Sequence, residues 1–324
     1  MPLDRILRNL ITWQRADGPP TPLRELSIED ARARYLANAV RPRRGGGPAD
    51  TVTTADHTID TADGSSIRAR VYRPDTEPTM SITFLHGGGW VVGDLDSHDW
   101  AVRALAAALG AVVISADYRR APEFPYPVPL HDAIAAARWT AREFPGLPHV
   151  LAGDSAGAHL SVGVALDARD NGGPRFAAML LLYPPTDPSL RLAAACEYPE
   201  GYLLSVDDMA HHYDLYVPDP ARRGDPAVDL LNADLRDLPP AVVATAEFDP
   251  LRDEGIAFAE RLAAAGVPAR QVPGPGLVHG YFLMQDLVPA AAKCANGVLD
   301  ELAAMLAAPR DAVAAGRVDP VPGH

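Results

Sequence analysis

A serine flanked by small residues stands where the sequence changes from a strand-like to a helix-like pattern. Residues 153–157, Gly-Asp-Ser-Ala-Gly, fit the pattern Gly-x-Ser-x-Gly and lie between the apolar run HVLAGD and an Ala-rich stretch. Small neighbours allow a tight strand-to-helix turn without Cβ clashes, which lifts the serine hydroxyl out of the turn. Amides at the start of the helix then point towards the same place. The pattern predicts that Ser155 is a nucleophile.

A run of glycines can supply further amides that such a nucleophile needs. The segment HGGGW, residues 86–90, directly follows the apolar run SITFL. Glycine leaves its backbone N–H unobstructed, so an oxyanion that develops during attack on a carbonyl can be stabilised there. We expect Gly88, Gly89 and Ala156 to donate to that oxyanion; a merely flexible glycine loop is the alternative. The residues expected to support the arrangement without reacting are His86, Gly87 and Asp154.

A carboxylate and an imidazole follow Ser155 in the chain order that this chemistry uses. Asp249 comes after the apolar run AVVATAEF, and His279 lies in a Gly-rich loop before the last helical stretch. A buried carboxylate at a strand end can hold an imidazole in the correct tautomer and stabilise its protonated form. We therefore predict a catalytic triad of Ser155, His279 and Asp249. Asp253 is the rival acid, but its position at a helix start favours capping or binding of loop amides.

Alternating apolar runs and helical stretches must position these residues. The strand-like runs are SITFL, AVVISADY, HVLAGD, AAMLLLY and AVVATAEF. Their alternation with helical segments indicates a mostly parallel sheet with helices on both faces, which is the α/β class. A separate pair of alternating runs between residues 51 and 74, with an Ala-Asp-Gly turn, predicts an antiparallel hairpin that opens the sheet.

Two regions fall outside this alternation and are candidates for a cap over the carboxyl ends of the strands. Residues 1–50 are polar and helix-prone, and residues from about 185 to 238 are rich in Pro, Asp and aromatic side chains. Segments that interrupt the alternation of strands and helices often form active-site lids; a surface insertion without function is the alternative. We expect residues 51–308 to form the catalytic domain, with the second region inserted in it, and residues 309–324 to form a disordered tail.

Composition excludes several other functions. The formal net charge of −13 opposes binding to nucleic acid, whose phosphates are recognised by Lys and Arg. Lys293 is the only lysine and stands beside neither a glycine loop nor a reactive serine, which excludes a Walker A motif and a Ser-x-x-Lys dyad. Cys196 and Cys294 are expected to be unpaired thiols, and the first residues contain no continuous apolar run. We therefore expect a cytoplasmic protein with neither a secretion signal nor a stable membrane anchor.

Together these segments resemble the hormone-sensitive lipase family of α/β-hydrolases. That family carries an HGGGW loop, a GDSAG turn, a D-P-L-x-D acid segment and an H-G-[FY] histidine, and all four occur here between about Ser81 and Phe282. The segments GDLDSH and DYRRAPE are similar to further family motifs. The resemblance implies an α/β-hydrolase fold with a helical cap, and carboxylesterase activity on short to medium acyl chains without a cofactor. Ala158, His159 and Arg120 depart from the residues usual in the family.

The remaining candidate residues have weaker support. His211 and His212 lack a third ligand at a suitable spacing, so we predict no metal and expect both merely to decorate the cap. His159 is expected to point into the fold, one helical turn after Ser155. A neutral ester is held best by apolar and aromatic surface. The aromatic residues that could line such a pocket, unless they are ordinary core residues, are Trp90, Tyr183, Tyr202, Tyr213 and Tyr281.

Two other functions stay open on the sequence alone. The same triad could cleave an amide or a thioester, which the sequence does not separate from an ester. Small-molecule receptors related to these enzymes lack the catalytic histidine, whereas His279 is present here. A small-molecule ester is the expected partner. A homodimer is as open as a monomer, because neither a heptad pattern nor a long exposed edge strand can be identified.

Overall fold

The computed structural model describes residues 1–16, 18, 20–40 and 47–308, and its centre is an eight-stranded sheet. The expected disordered tail, residues 309–324, lies outside the described residues. The strands are β1 (Thr53–Asp60), β2 (Ser66–Arg73), β3 (Met80–Leu85), β4 (Ala111–Asp117), β5 (His149–Asp154), β6 (Ala178–Leu182), β7 (Ala241–Phe248) and β8 (Ala269–Val278).

Strand pairing gives the sheet an antiparallel edge and a parallel remainder. Its order is β1-β2-β4-β3-β5-β6-β7-β8, in which β1 with β2 and β2 with β4 are antiparallel and every other pair is parallel. The first pair is the predicted hairpin, with Asp60 opposite Ser66 across the turn. Because the parallel strands share one direction, their carboxyl ends meet at one edge of the sheet, where ligands bind in open α/β folds.

Helices cover both faces of the sheet. Those of the described residues are α1 (Arg5–Gln14), α2 (Ile28–Ala39), α3 (Leu95–Leu109), α4 (Val128–Glu143), α5 (Ala156–Asn171), α6 (Ala193–Glu197), α7 (Val206–Tyr216), α8 (Arg252–Ala264) and α9 (Pro289–Ala307). Successive side chains of a strand point to opposite faces. In β4, Val112 and Ile114 belong to one apolar cluster with buried residues of α4, α5 and α8, whereas Ala111 and Val113 belong to a second cluster with buried residues of α3 and α9. Burial on both faces explains the continuous apolar runs, and the predicted α/β fold is confirmed.

Strand β8 is missing from the sequence prediction. Its sequence, ARQVPGPGLV, contains two prolines and two glycines, which are typical of a loop. β8 is an edge strand that pairs with β7 alone, with an irregularity between Ala246 and Phe248. Proline is tolerated on an edge strand, because no neighbouring strand lies on the outer side to accept a hydrogen bond from the N–H that proline lacks. His279 therefore directly follows a strand.

The two regions outside the alternation contact each other at the carboxyl edge of the sheet. The Leu23 amide, between α1 and α2, donates to Asp208 of α7 at 3.4 Å. The Tyr126 amide, which follows β4, donates to the carbonyl of Tyr216 at the end of α7.

Cys196 and Cys294 are unpaired, as predicted. None of the helices in the described ranges is long and apolar enough to cross a membrane.

Candidate active site

Ser155 stands at the turn between β5 and α5 in a backbone conformation that most residues avoid. Its φ and ψ are 52° and −122°. Such a conformation costs of order 1–3 kcal/mol and persists only where the surroundings hold it. A Cβ on Gly153 would lie 2.4 Å from the carbonyl carbon of Gly157, and a Cβ on Gly157 would lie 1.8 Å from the carbonyl oxygen of Leu85. Glycine at both positions therefore lets α5 press against the end of β3.

The structure brings Ser155, His279 and Asp249 into one hydrogen-bonded chain. The Ser155 hydroxyl lies 2.9 Å from His279 Nε2, and His279 Nδ1 lies 2.8 Å from Asp249 Oδ2. A carboxylate can only accept, so Nδ1 carries the proton and Nε2 can accept the proton of Ser155. The other carboxylate oxygen accepts from the Leu251 amide at 2.9 Å, and Asp249 is fully buried. This arrangement can activate a hydroxyl for attack on a carbonyl.

The glycine loop after β3 lies beside the start of α5. Gly88 and Gly89 have φ angles of +118° and +57°, which L side chains rarely adopt. A Cβ on Gly88 would also lie 2.2 Å from the carbonyl oxygen of Val92. Within the described part of the chain, neither glycine amide donates a hydrogen bond. Ala156 begins α5, where helix amides have no intrahelical acceptor. All three expected oxyanion donors are therefore available to a ligand.

Asp154 connects the glycine loop to the nucleophile strand. Its Oδ1 accepts a hydrogen bond of 2.8 Å from the Gly87 amide and lies 3.3 Å from His98 Nε2. Burial by itself raises the pKa of Asp154, but His98 and the Gly87 amide outweigh burial and hold the pKa below its ordinary value. A Cβ on Gly87 would lie 2.4 Å from Asp154 Oδ2, which explains the glycine. His98 belongs to GDLDSH, a segment to which the sequence alone assigns no role.

His86 supports the glycine loop from the side of β4. Its Nδ1 donates to the Gly87 carbonyl at 2.9 Å, and its ring stacks on Tyr118 with centroids 4.2 Å apart. The Tyr118 hydroxyl donates to the His86 carbonyl at 2.7 Å. Burial lowers the pKa of His86 to about 4, so this ring is neutral in neutral solution. Arg120 donates to the carbonyl of Gly93 further along the loop, which accounts for the arginine that the sequence leaves unexplained.

The aromatic residues predicted for a substrate pocket lie in different places. Tyr183 lies edge-on to the ring of His279, with centroids 4.7 Å apart. Tyr281 is buried behind Tyr183 at 5.4 Å and belongs to the apolar core on that face of the sheet. Tyr202 is half-buried against Phe248, one residue before Asp249, with ring centroids 5.1 Å apart. Of these three tyrosines, Tyr183 is therefore the one whose ring contacts the ring of His279.

His212 does not simply decorate the outside of α7, so that expectation is wrong. It is 7% exposed, and its ring packs on the glycine loop: a Cβ on Gly89 would lie 2.0 Å from His212 Nδ1. Trp90 and Tyr213, the other two predicted pocket residues, are buried in the same area with ring centroids 5.0 Å apart. Helical spacing is the signal that could have revealed this face, since the buried residues of α7 are Met209, His212, Tyr213 and Tyr216.

Two further sequence expectations concern residues outside the hydrogen-bonded chain. His159 is buried, and its Nε2 donates to the Val228 carbonyl at 3.1 Å, so it points into the fold as expected. Asp253 accepts from the Ala194 amide at 2.8 Å, which is the loop-binding role expected of the rival acid. Among the residues that the structure describes, no group of three or more His, Cys, Asp or Glu could hold a metal ion.

Neighbouring segments nearly close the site to solvent. Ser155 is 6% exposed and the His279 side chain 11%. Besides α7, the N-terminal region contributes: Arg32 of α2 donates to the carbonyls of Val91 at 2.9 Å and Ala121 at 3.1 Å. The guanidinium of Arg32 therefore joins α2 to the glycine loop.

Known proteins share this arrangement of sequence and fold. Residues 82–283 match the family described as the alpha/beta hydrolase fold. The esterase LipI of Mycobacterium tuberculosis is 39% identical over 295 residues, which cover 87% of this chain and 91% of that protein. An ethyl acetate hydrolase of Pseudomonas putida is 32% identical and covers 87% and 92%. The crystal structure of a thermostable esterase from Pseudomonas putida ECU1011 has a TM-score of 0.88 and 33% identity, over 95% of this chain and 99% of that one. The chain belongs to the α/β-hydrolase family, in the branch related to hormone-sensitive lipase.

Proposed function

We propose that this protein is a serine carboxylic-ester hydrolase that acts through Ser155, His279 and Asp249. The observation that carries the proposal is the continuous hydrogen-bonded chain from Asp249 to the Ser155 hydroxyl, next to amides that have no other acceptor. The relatives described above are named as esterases or ester hydrolases, which supports the ester over an amide or a thioester. The presence of His279 argues against a receptor that binds without hydrolysis.

The first half of the reaction transfers the acyl group to the enzyme. His279 Nε2 takes the proton of Ser155 as the Ser155 oxygen attacks the ester carbonyl. The amides of Gly88, Gly89 and Ala156 bind the oxyanion that forms. His279 then gives its proton to the departing alcohol, and an acyl-serine ester remains.

The second half releases the acid. Water loses a proton to His279 Nε2 as it attacks the acyl-serine, and the same amides bind the second oxyanion. Collapse of this intermediate returns the proton to the oxygen of Ser155 and frees the carboxylic acid. Asp249 keeps Nδ1 of His279 protonated throughout, because its buried carboxylate accepts that hydrogen bond.

Residues 1–50 and 185–238 are proposed to act as the cap of this site. The contact of Leu23 with Asp208, the ring of His212 on Gly89 and the low exposure of Ser155 support this role. On the resemblance to the hormone-sensitive lipase family, we propose short to medium acyl chains as substrates. Rates with p-nitrophenyl esters from acetyl to dodecanoyl test this proposal, and an optimum at long, emulsified chains contradicts it.

Substitution of the nucleophile tests the function directly. Ser155→Ala should lower the turnover of p-nitrophenyl butyrate by about 10⁴ or more, because no other group can form the acyl ester. Ser161→Ala is the matched control, since Ser161 is a buried hydroxyl on the same helix that donates to the Gly157 carbonyl at 2.9 Å. Wild-type turnover by Ser155→Ala would show that the nucleophile is wrongly assigned. Comparison of kcat/KM for matched butyryl esters and amides separates the two substrate classes.

A cytoplasmic location is proposed on the ground of the two unpaired thiols, which are typical of reducing compartments. Fractionation of cells that express the chain from its own gene tests it. The homodimer stays a prediction that sedimentation of the purified protein can decide.

A further inference from the structure

The ring of His212 lies next to the place that a bound substrate must occupy. It belongs to the buried face of α7, and its ring rests directly on Gly89, one of the expected oxyanion donors. An acyl carbon attacked by Ser155 places its oxygen at the amides of Gly88, Gly89 and Ala156. The imidazole of His212 therefore lies beside the reacting carbonyl group rather than at a distant wall of the site.

The ring of His212 has hydrogen-bonding capacity that the protein does not use. Although the residue is 7% exposed, neither ring nitrogen has a hydrogen-bond partner among the described residues. Burial lowers the pKa of His212 to about 4, so the ring is neutral in neutral solution; Asp208 opposes this shift, and His211 and His279 add to it. A neutral imidazole has one N–H donor and one nitrogen acceptor. Buried polar atoms are normally paired, so a pair left unused at a reaction site indicates a ligand group that pairs with them.

We propose that His212 is a specificity-determining residue that recognises a second polar group of the substrate. The preferred substrates are then esters that carry a hydroxyl or carbonyl group within a few bonds of the scissile carbonyl. A substrate hydroxyl can donate to the unprotonated nitrogen of His212 or accept from its N–H. A site built to pair with such a group rejects an analogue that lacks it, because the buried site atoms then stay unpaired. This inference rests on the proposed function.

Isosteric substrate pairs test the inference, because a hydroxyl and a methyl group have similar volumes. On the acyl side, the pair is the ethyl esters of β-hydroxybutyric acid and isovaleric acid; on the alcohol side, it is hydroxyethyl butyrate and propyl butyrate. For the wild type we expect kcat/KM to favour the hydroxyl member of at least one pair by roughly tenfold or more. His212→Phe should abolish that preference, which is measured as the ratio of kcat/KM for the two members of a pair, so that any change common to both members cancels.

Further variants separate hydrogen bonding from shape. His212→Gln keeps a donor and an acceptor and should retain part of the preference, whereas His212→Met, whose flexible side chain adapts to the same space, should lose it. If His212→Phe does not fold, the comparison of Met with Gln decides. His211→Phe is the matched control on the adjacent, half-buried position of α7 and should keep the wild-type preference.

The outcomes distinguish this inference from the proposed function. Equal preference in the wild type and in the apolar variants, or no preference in either pair, overturns the role of His212 while ester hydrolysis stands. If the wild type hydrolyses none of these esters, or if Ser155→Ala hydrolyses them as fast, the proposed function itself fails. A preference that depends on His212 in one pair supports the inference and identifies the side of the ester that faces α7.

Discussion

Replacement of Gly157 by alanine should separate the nucleophile from the oxyanion amides. The added Cβ would lie 1.8 Å from the carbonyl oxygen of Leu85 and 2.7 Å from that of His86, which are backbone atoms that cannot rotate away. Cβ atoms essentially never come closer than 3.0 Å to another heavy atom. The start of α5 and the end of β3 must therefore move apart by the difference between 3.0 Å and 1.8 Å, which is about 1.2 Å.

A displacement of this size is large for catalysis. Ser155 and Ala156 move with α5, whereas Gly88 and Gly89 follow β3, so the oxyanion can no longer meet all its donors. A misplacement of about 1 Å can lower a rate by about 10², and loss of one oxyanion donor lowers it by about 10²–10³. We expect kcat to fall within that range. Overpacking should also lower the free energy of unfolding by about 1–3 kcal/mol.

The assay is the initial rate of p-nitrophenyl butyrate hydrolysis, with thermal unfolding followed by circular dichroism on the same samples. Gly163→Ala is the matched control on the same helix, because its Cβ would meet only the end of the Leu130 side chain, at 2.8 Å, which can rotate. Its kcat should stay within about twofold of the wild type, and alanine favours the helix by up to about 1 kcal/mol. Wild-type kcat in folded Gly157→Ala would refute the reasoning that α5 and the end of β3 must move apart and that this movement separates Ser155 from the amides.

Three further predictions concern the acid, the loop support and acid stability. Asp249→Asn should lower kcat by about 10⁴, because an amide no longer selects the correct tautomer of His279; equal loss in Asp253→Asn would contradict this assignment. Tyr118→Phe removes the donor to the buried His86 carbonyl and should lower the free energy of urea unfolding by about 1–3 kcal/mol, whereas an unchanged urea midpoint speaks against it. Four histidines are buried, and burial lowers the pKa of each from 6.5 to about 4. Between pH 6.5 and pH 4 the unfolded chain therefore binds more protons than the folded chain, so the free energy of unfolding falls as the pH decreases. Each should contribute up to about 1.4 kcal/mol per pH unit, and a urea midpoint that does not change between pH about 7 and about 5 would contradict the prediction. These residues are His86, His149, His159 and His212.

The residues of the hydrogen-bonded chain could be identified from the sequence because their signals are local. Ser155 and Asp249 each follow a strand that is mostly apolar and mostly buried, since both faces of the sheet are covered. Such a strand can be recognised from the sequence without knowledge of the strands that pair with it, and the residue after it lies at the carboxyl edge of the sheet. The fold class, the hairpin and the family are confirmed, and these predictions also rest on local sequence patterns.

Features that depend on tertiary contacts could not be predicted in this way. The prolines and glycines of β8 are typical of a loop, and only the edge position of the strand makes them tolerable. The burial of His212 depends on α7 packing on Gly89, a residue more than a hundred positions away. The role of Arg120 likewise requires the loop carbonyl of Gly93 to come within its reach. None of these partners is visible in the local pattern.

The contact between Gly157 and Leu85 also has a consequence for how such proteins can diversify. Ser155 and the amides proposed to bind the oxyanion follow β5 and β3, which are neighbours in the sheet, so their relative position is inherited with the strand register. The segments above them are joined to this base by bonds such as those from Arg32 of α2 to the carbonyls of Val91 and Ala121. Substitutions in α7 can therefore redirect which acids and alcohols are accepted while bond cleavage itself is conserved. Under the proposed function, new substrate ranges can arise here by exchange of the proposed cap over an unchanged reaction centre.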